Sequence, residues 1–243
     1  MEQFINFIFN LGNIFFGHLM SFLVVSLTIF FFFFYIPYWL KVKKIIDKKV
    51  DKKSLFRDLF LSSINMLYFS FFTLVSFEFF GLNAIDFLYD GFENWWMIPI
   101  SWLLFIFVYD TCFYWSHRLL HTKLFFRLSH HIHHKTKDPT VFAAFSFGIL
   151  ESFIQWSIVL ILVSIVPIRE SDYLYLVALV WIVSMIGHSG IELLPKKIIN
   201  SKFVISSSTR HTMHHQIGNV NYGIFLTFWD KIMKTEYKEK ASK

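Results

Sequence analysis

The 243-residue chain predicts an all-α integral membrane protein, a helical bundle carrying a histidine-rich helical cap on its cytosolic side. Three observations predict it. Hydrophobic residues make up 55% of the chain and charged residues 16%, whereas soluble domains carry about 25% charged residues. Apolar stretches of near-bilayer length recur along the sequence. The 23 lysines and arginines lie almost entirely between those stretches, on alternate sides of the implied membrane. No Pro-, Gly- or Ser-rich linker divides the chain, so residues 1–243 read as a single membrane domain.

The first apolar span is 15–40. At 1.5 Å per residue it reaches roughly 39 Å, enough to cross a hydrocarbon core of about 30 Å with tilt. Its run of five phenylalanines at 30–34 has no polar face, as expected of a helix surrounded by lipid. No Lys or Arg precedes Lys41, so the basic start of a secretory signal is lacking and the span is expected to be retained. Further spans are 59–80 and 96–115, with Pro99 in the first turn of the latter, where a missing N–H costs little. Two more, 141–166 and 173–186, are joined by the polar turn 167–172. The second is short, so the pair either crosses or forms a re-entrant hairpin, and both arrangements return the chain to the side it left.

Residues 41–58 hold eight Lys and Arg, 116–140 hold five, 188–243 hold nine, and the turn 167–172 holds one. The positive-inside rule therefore puts the first three segments in the cytoplasm, with the N-terminus and the loop 81–95, bearing Asp86, Asp90 and Glu93, outside. The net charge of +6 is thus explained by membrane topology, and nucleic acid is not an expected partner. The lone Cys112 forms no internal disulfide and reads as a small core residue.

Eight of the 11 histidines fall in three clusters on the cytoplasmic side: His117 with His121, His130 with His133 and His134, and His211 with His214 and His215. The pattern His-x-x-His-His occurs twice, although chance predicts it about 0.02 times in such a chain. On helices these spacings gather the imidazoles of each cluster on one face. Neutral imidazole binds iron, zinc, copper or nickel. Two metals are expected rather than one, and the absence of partner cysteines argues against a zinc-finger role. His188, at the cytoplasmic end of the last span, is expected to join as a ninth ligand. His131 lies about 100° off the shared face and is left out, and His18, within the first span, reads as a satisfied core histidine. Asp110, two helical turns before His117, is a carboxylate able to orient a ligand. Glu151 and Gln155 lie four apart in an apolar span; they are expected to face the interior, bracing the site or lining a substrate cavity.

Together, Asp110, the run Tyr114-Trp115-Ser116-His117-Arg118, the two His-x-x-His-His boxes, Asn221-Tyr222-Gly223 and Trp229-Asp230 resemble the fatty acid hydroxylase/sterol desaturase superfamily of membrane non-haem di-iron oxygenases. The resemblance covers roughly 110–235, the expected catalytic region. Residues 139–143 through Gln155 look most like the lathosterol-type sterol desaturase branch, and this chain departs from it at Phe145 and Gly148, where that branch carries histidines. The resemblance implies two Fe ions held by His117, His121, His130, His133, His134, His188, His211, His214 and His215. It also implies O2 as co-substrate and a lipid that is hydroxylated or desaturated; the expected location is a bacterial inner membrane or an endoplasmic reticulum, between which the sequence does not choose. The chain has no Rossmann fingerprint, iron–sulfur cysteine set or haem attachment motif. Electrons are therefore expected from a separate donor of cytochrome or ferredoxin type with its reductase. Two other classes compete: a histidine-rich membrane metal carrier, disfavoured because its ligands should be spread through the bilayer, and an inactive scaffold of the same fold, disfavoured because no ligand position is missing.

Overall fold

The computed structural model describes residues 1–40, 43–46, 51–81, 88, 94–199 and 205–237. It is an all-α membrane bundle of five long helices: α1 (Glu2–Leu40), α2 (Lys52–Phe80), α3 (Met97–Leu120), α4 (Ile149–Ile165) and α5 (Glu170–Gly187). By length and composition, four of them (α1, α2, α3 and α5) suffice to cross a membrane, and α4 is a shorter apolar helix of 17 residues. A two-residue antiparallel ribbon, β1 (Lys43–Lys44) with β2 (Ile191–Glu192), and the short helices α6 (Ser208–Ile217) and α7 (Phe228–Ile232) gather at one end. Much of the loop 81–95, expected on the outer side and including Asp86, Asp90 and Glu93, part of the basic stretch 41–58 and the last residues 238–243 lie outside the described residues.

Local chemistry sets the helix ends. Asp51 caps α2, its carboxylate accepting the backbone N–H of Lys53 and Ser54, and Gly81 closes the helix at φ +61°, a conformation cheap for glycine. The first helix begins at Glu2, well before the expected 15, because Asn6, Asn10, Asn13 and Gly12 dilute the apolar run without breaking the helix. Exposed side chains such as Phe4 and Phe9 fit a lipid-facing surface.

The expected span 141–166 is corrected in its first half. Residues Val141–Phe145 form a 3-10 turn, and the α-helix starts only at Ile149. The apolar side chains of this turn are buried against Phe22 of α1, Met66 of α2 and Met185 of α5, and the Ser62 hydroxyl donates to the Phe142 carbonyl at 2.6 Å. It is a plug in the bundle rather than the start of a helix. A second core joins α3, α4 and α5 through Phe105, Tyr109, Leu162 and Leu176. The ends of α3 and α5, the start of α4 and the whole of α6 meet at the end of the bundle opposite the Trp102 to Asp172 hydrogen bond.

Candidate metal centre

The last turn of α3 presents His117, and His121 follows as its C-cap residue. The second box departs from the expected helical fan: Phe126–His130 is a π turn, closed by the His131 N–H to the Phe126 carbonyl at 2.9 Å, and His133–Lys135 is a 3-10 turn. The third box lies on an α-helix, α6, whose N-cap Ser207 accepts the Arg210 N–H. Glu192 also accepts the Thr209 N–H in its first turn. His188 is the C-cap residue of α5.

These elements bring all nine expected histidines together, in two groups. One holds His117, His121, His130, His134 and His214; the other holds His133, His188, His211 and His215. Within each group the ligand nitrogens lie within 4.8 Å of one another. The two boxes divide in mirrored fashion. His130 and His134, four apart, join the first group while His133 joins the second; His211 and His215, four apart, join the second while His214 joins the first. Each box thus stands between the two groups and contributes to both.

The hydrogen bonds show which nitrogen faces inward. The Nδ1 atoms of His117, His188, His214 and His215 donate to the carbonyls of Tyr222, Ser184, Val220 and Thr136, at 2.7–3.0 Å. A carbonyl only accepts, so each Nδ1 carries the proton and each neutral ring keeps a bare lone pair on Nε2. Those Nε2 atoms are crowded: His188 lies 3.2 Å from His215, 3.0 Å from His211 and 3.3 Å from His133, and His214 lies 3.0 Å from His134 and 3.2 Å from His121. Between His188 and His215 no proton is available for a hydrogen bond. Two nitrogens bound to one ion at ~2.1 Å stand about 3.0–3.4 Å apart, so these contacts have the spacing of ligands around a cation. The residues fit metal.

Charge points the same way. Burial, reinforced by the neighbouring imidazoles, holds His121, His130, His133, His134, His211, His214 and His215 well below their ordinary value near 6.5. Burial likewise takes His188 down to about 4. At neutral pH all eight are deprotonated, the form that binds metal.

The carboxylates divide in role. Glu151 Oε1 lies 2.8 Å from His130 Nδ1, the arrangement that orients a ligand, and its backbone N–H is held by the Ser129 hydroxyl. Asp110 touches none of the nine histidines. Its Oδ1 accepts the N–H groups of Ile224, Phe225 and Leu226 at 2.7–3.1 Å, while Asp230 accepts those of Tyr222 and Gly223. Two carboxylates thereby fix five consecutive amides of the loop whose Tyr222 carbonyl orients His117. Asp110 acts on the site through that loop, where direct pairing with a ligand was expected. Asp230 and the four carbonyl acceptors went unassigned in the sequence; Asp230 stood within a quoted motif, but backbone carbonyls leave no side-chain signal. His131 bonds the Phe126 carbonyl, away from both groups.

The family model described as Fatty acid hydroxylase matches residues 102–235. The chain is 30% identical over 211 residues to a lathosterol oxidase of Mus musculus, covering 84% of this chain and 67% of that protein. It is 35% identical over 149 residues to a lathosterol oxidase of Homo sapiens, covering 60% and 47%. With a Delta(7)-sterol 5(6)-desaturase of Saccharomyces cerevisiae it shares 32% identity over 133 residues, covering 55% and 35%. No solved structure gives a significant match.

Proposed function

The chain belongs to the fatty acid hydroxylase family, and from that premise we propose that it is a membrane-bound oxidoreductase using O2 and external electrons to hydroxylate or desaturate a lipid. Two irons are held by the nine histidines, His117, His121, His130, His134 and His214 around one and His133, His188, His211 and His215 around the other. The observation that carries this reading is the pair of adjoining buried imidazole groups, whose bare Nε2 atoms meet at hydrogen-bond distance with no proton to share. The chemistry that two irons supply when bound is activation of dioxygen, so that an unactivated C–H bond becomes an alcohol or an alkene.

The chain's own residues do the rest. Four backbone carbonyls and Glu151 hold a proton at Nδ1 of five ligands and so aim each Nε2 inward. The rings of Phe113 and Phe147, 5.2 Å from His117 and His133, form an apolar wall where the histidines meet the interior of the bundle. With the histidines at one end of the bundle and the basic segments 116–140 and 188–243 beside them, the site faces the cytosol and the N-terminus lies outside. Those basic segments suit docking of a separate, acidic electron carrier. The names of the relatives favour a sterol-like lipid. Phe145, in place of a histidine of that branch, packs on Trp181 at 5.0 Å, giving this chain a more apolar wall.

Metal content is the test. Detergent-purified protein from iron-replete cells is expected to contain near two irons per chain by elemental mass spectrometry. His133→Ala should lose metal, and with it any O2-dependent lipid product, while remaining inserted. Wild-type protein devoid of metal would overturn the reading.

A further inference from the structure

Between α1, α2, α3, α4 and α5 lies a cavity of about 460 Å³, within the range that holds one lipid-sized ligand. Phe113, Phe147 and Ser184 line its end nearest the histidines; the first two pack on His117 and His133, and the carbonyl of Ser184 orients His188. Most of the wall is aromatic or aliphatic, and two polar side chains in it, His18 and Gln155, are incompletely bonded.

The Ser70 hydroxyl donates its one proton to the Met66 carbonyl at 2.7 Å. It therefore accepts from His18 Nδ1, also at 2.7 Å, and the neutral His18 ring is left with an unshared lone pair on Nε2. Gln155 is 8% exposed, and among the described residues its carboxamide makes no hydrogen bond. The two stand at one depth. Asn65 of α2 bonds Ser152 of α4, and Thr73 bonds Trp156; these two ties bracket Ser70, the partner of His18, on α2 and Gln155 on α4. Gln155 in turn lies one helical turn, about 6 Å, from Glu151.

We propose that His18 and Gln155 are the specificity-determining pair of this cavity and that they read a hydroxyl group on the lipid. This rests on the lipid-oxidising reading above. A hydroxyl meets both needs at once, its O–H donating to His18 Nε2 and its oxygen accepting from the Gln155 amide. A ketone or ether brings no donor for Nε2, and a carboxylate or phosphate would bring in a net charge where none offsets it. Because the pair lies one turn from the Glu151 level, the hydroxyl enters the bundle, and the oxidised carbon lies near it rather than at a distant chain end.

Binding tests this without requiring turnover. Full-length, metal-loaded protein in nanodiscs is titrated with a radiolabelled 3-hydroxysterol and its 3-O-methyl ether, and in a second arm with hexadecan-1-ol and its methyl ether. The wild type is expected to prefer the alcohol about three- to tenfold in the arm whose skeleton fits, the worth of one neutral hydrogen bond. His18→Phe and Gln155→Leu should each erase that preference while leaving ether affinity and metal content unchanged. The arm that shows the preference identifies sterol or acyl chain. Equal affinity for alcohol and ether in the wild type, a preference that survives in both variants, or failure of both skeletons to bind would overturn the proposal. Absence of an O2-dependent product with the preference intact would instead count against the oxidase reading alone.

Discussion

Glu151 shows how much one buried carboxylate is asked to do. It pairs with His130 at 2.8 Å while its other oxygen is buried with no hydrogen-bond partner among the described residues, so its interaction is concentrated on one ligand. Groups that orient a ligand in this way typically affect metal affinity by 10- to 100-fold. Glu151→Gln keeps an acceptor and the side-chain shape but replaces the carboxyl group by an amide. It is expected to weaken iron retention about tenfold, and Glu151→Leu closer to a hundredfold, measured as residual metal against a graded chelator series. Unchanged retention in Glu151→Leu would show that His130 needs no such partner. The six histidines of the two His-x-x-His-His boxes were legible in sequence because that spacing is improbable by chance, His117 and His121 because they share a helical face, and His188 from its place at the end of the last span; Glu151 was legible because a carboxylate in an apolar span must face inward. The division of the ligands into five and four was not. In both boxes the i, i+4 pair faces one group and the i+3 member the other, on the regular helix α6 as on the π and 3-10 turns of the second box, so the division follows from where each box sits between the two groups, which spacing alone does not give.

At the scale of elements, the loop 221–226 behaves as a strap across the end of α3. Asn221 takes a left-handed conformation at φ 54°, tolerated by asparagine, and its side chain bonds the Arg210 carbonyl of α6 and the Tyr237 N–H. Gly223 has no room for a side chain, because a Cβ there would run into the Leu226 carbonyl. Asp110→Ala takes the acceptor from three N–H groups, that of Ile224 buried and those of Phe225 and Leu226 part-buried, at about 1–3 kcal/mol for the buried one and less for the other two. The variant is expected to lose several kcal/mol of stability and to release metal at lower chelator concentration, since Tyr222 no longer fixes His117. Gly223→Ala should act on the same strap by sterics. A thermal unfolding scan paired with metal content checks both, and an Asp110→Ala protein with wild-type melting and metal content would rule the strap out. The plug at Val141–Phe145 marks a limit of sequence reading at this scale. A short apolar run looks alike whether it begins a helix or fills a core, and only Gly148, which packs against Ser129 too closely for a side chain, marks the boundary.

For the whole molecule, composition and the alternation of basic segments were enough to read a helical membrane bundle with its histidines at one end, because lipid forces backbone hydrogen bonds inside helices. Gln155 was legible as a residue that could line a substrate cavity, and it does, but the cavity's place and size were not legible, since it arises where five helices fail to fill the space between them. The same burial that gathers the histidines gives the molecule a pH dependence whose sign can be worked out. In the unfolded chain their ordinary value is near 6.5, whereas in the folded, metal-free protein burial depresses it, to about 4 for His188 and well below 6.5 for His133, His211 and His215. As pH falls through 6.5 the unfolded state takes up protons that the folded state refuses, so folding stability is intact above that value and is lost progressively toward pH 4. Each histidine that differs between the states contributes a slope of about 1.4 kcal/mol per pH unit. The metal-stripped protein is therefore expected to melt at a constant temperature between pH 8 and 7 and at steeply lower temperatures from pH 6.5 to 5. Replacing several ligands together, His133, His211 and His215 by Gln, should flatten that decline because fewer groups resist protonation. A melting temperature in the metal-free protein that stays level down to pH 5 would mean that these imidazoles are neither buried nor neutral in the fold.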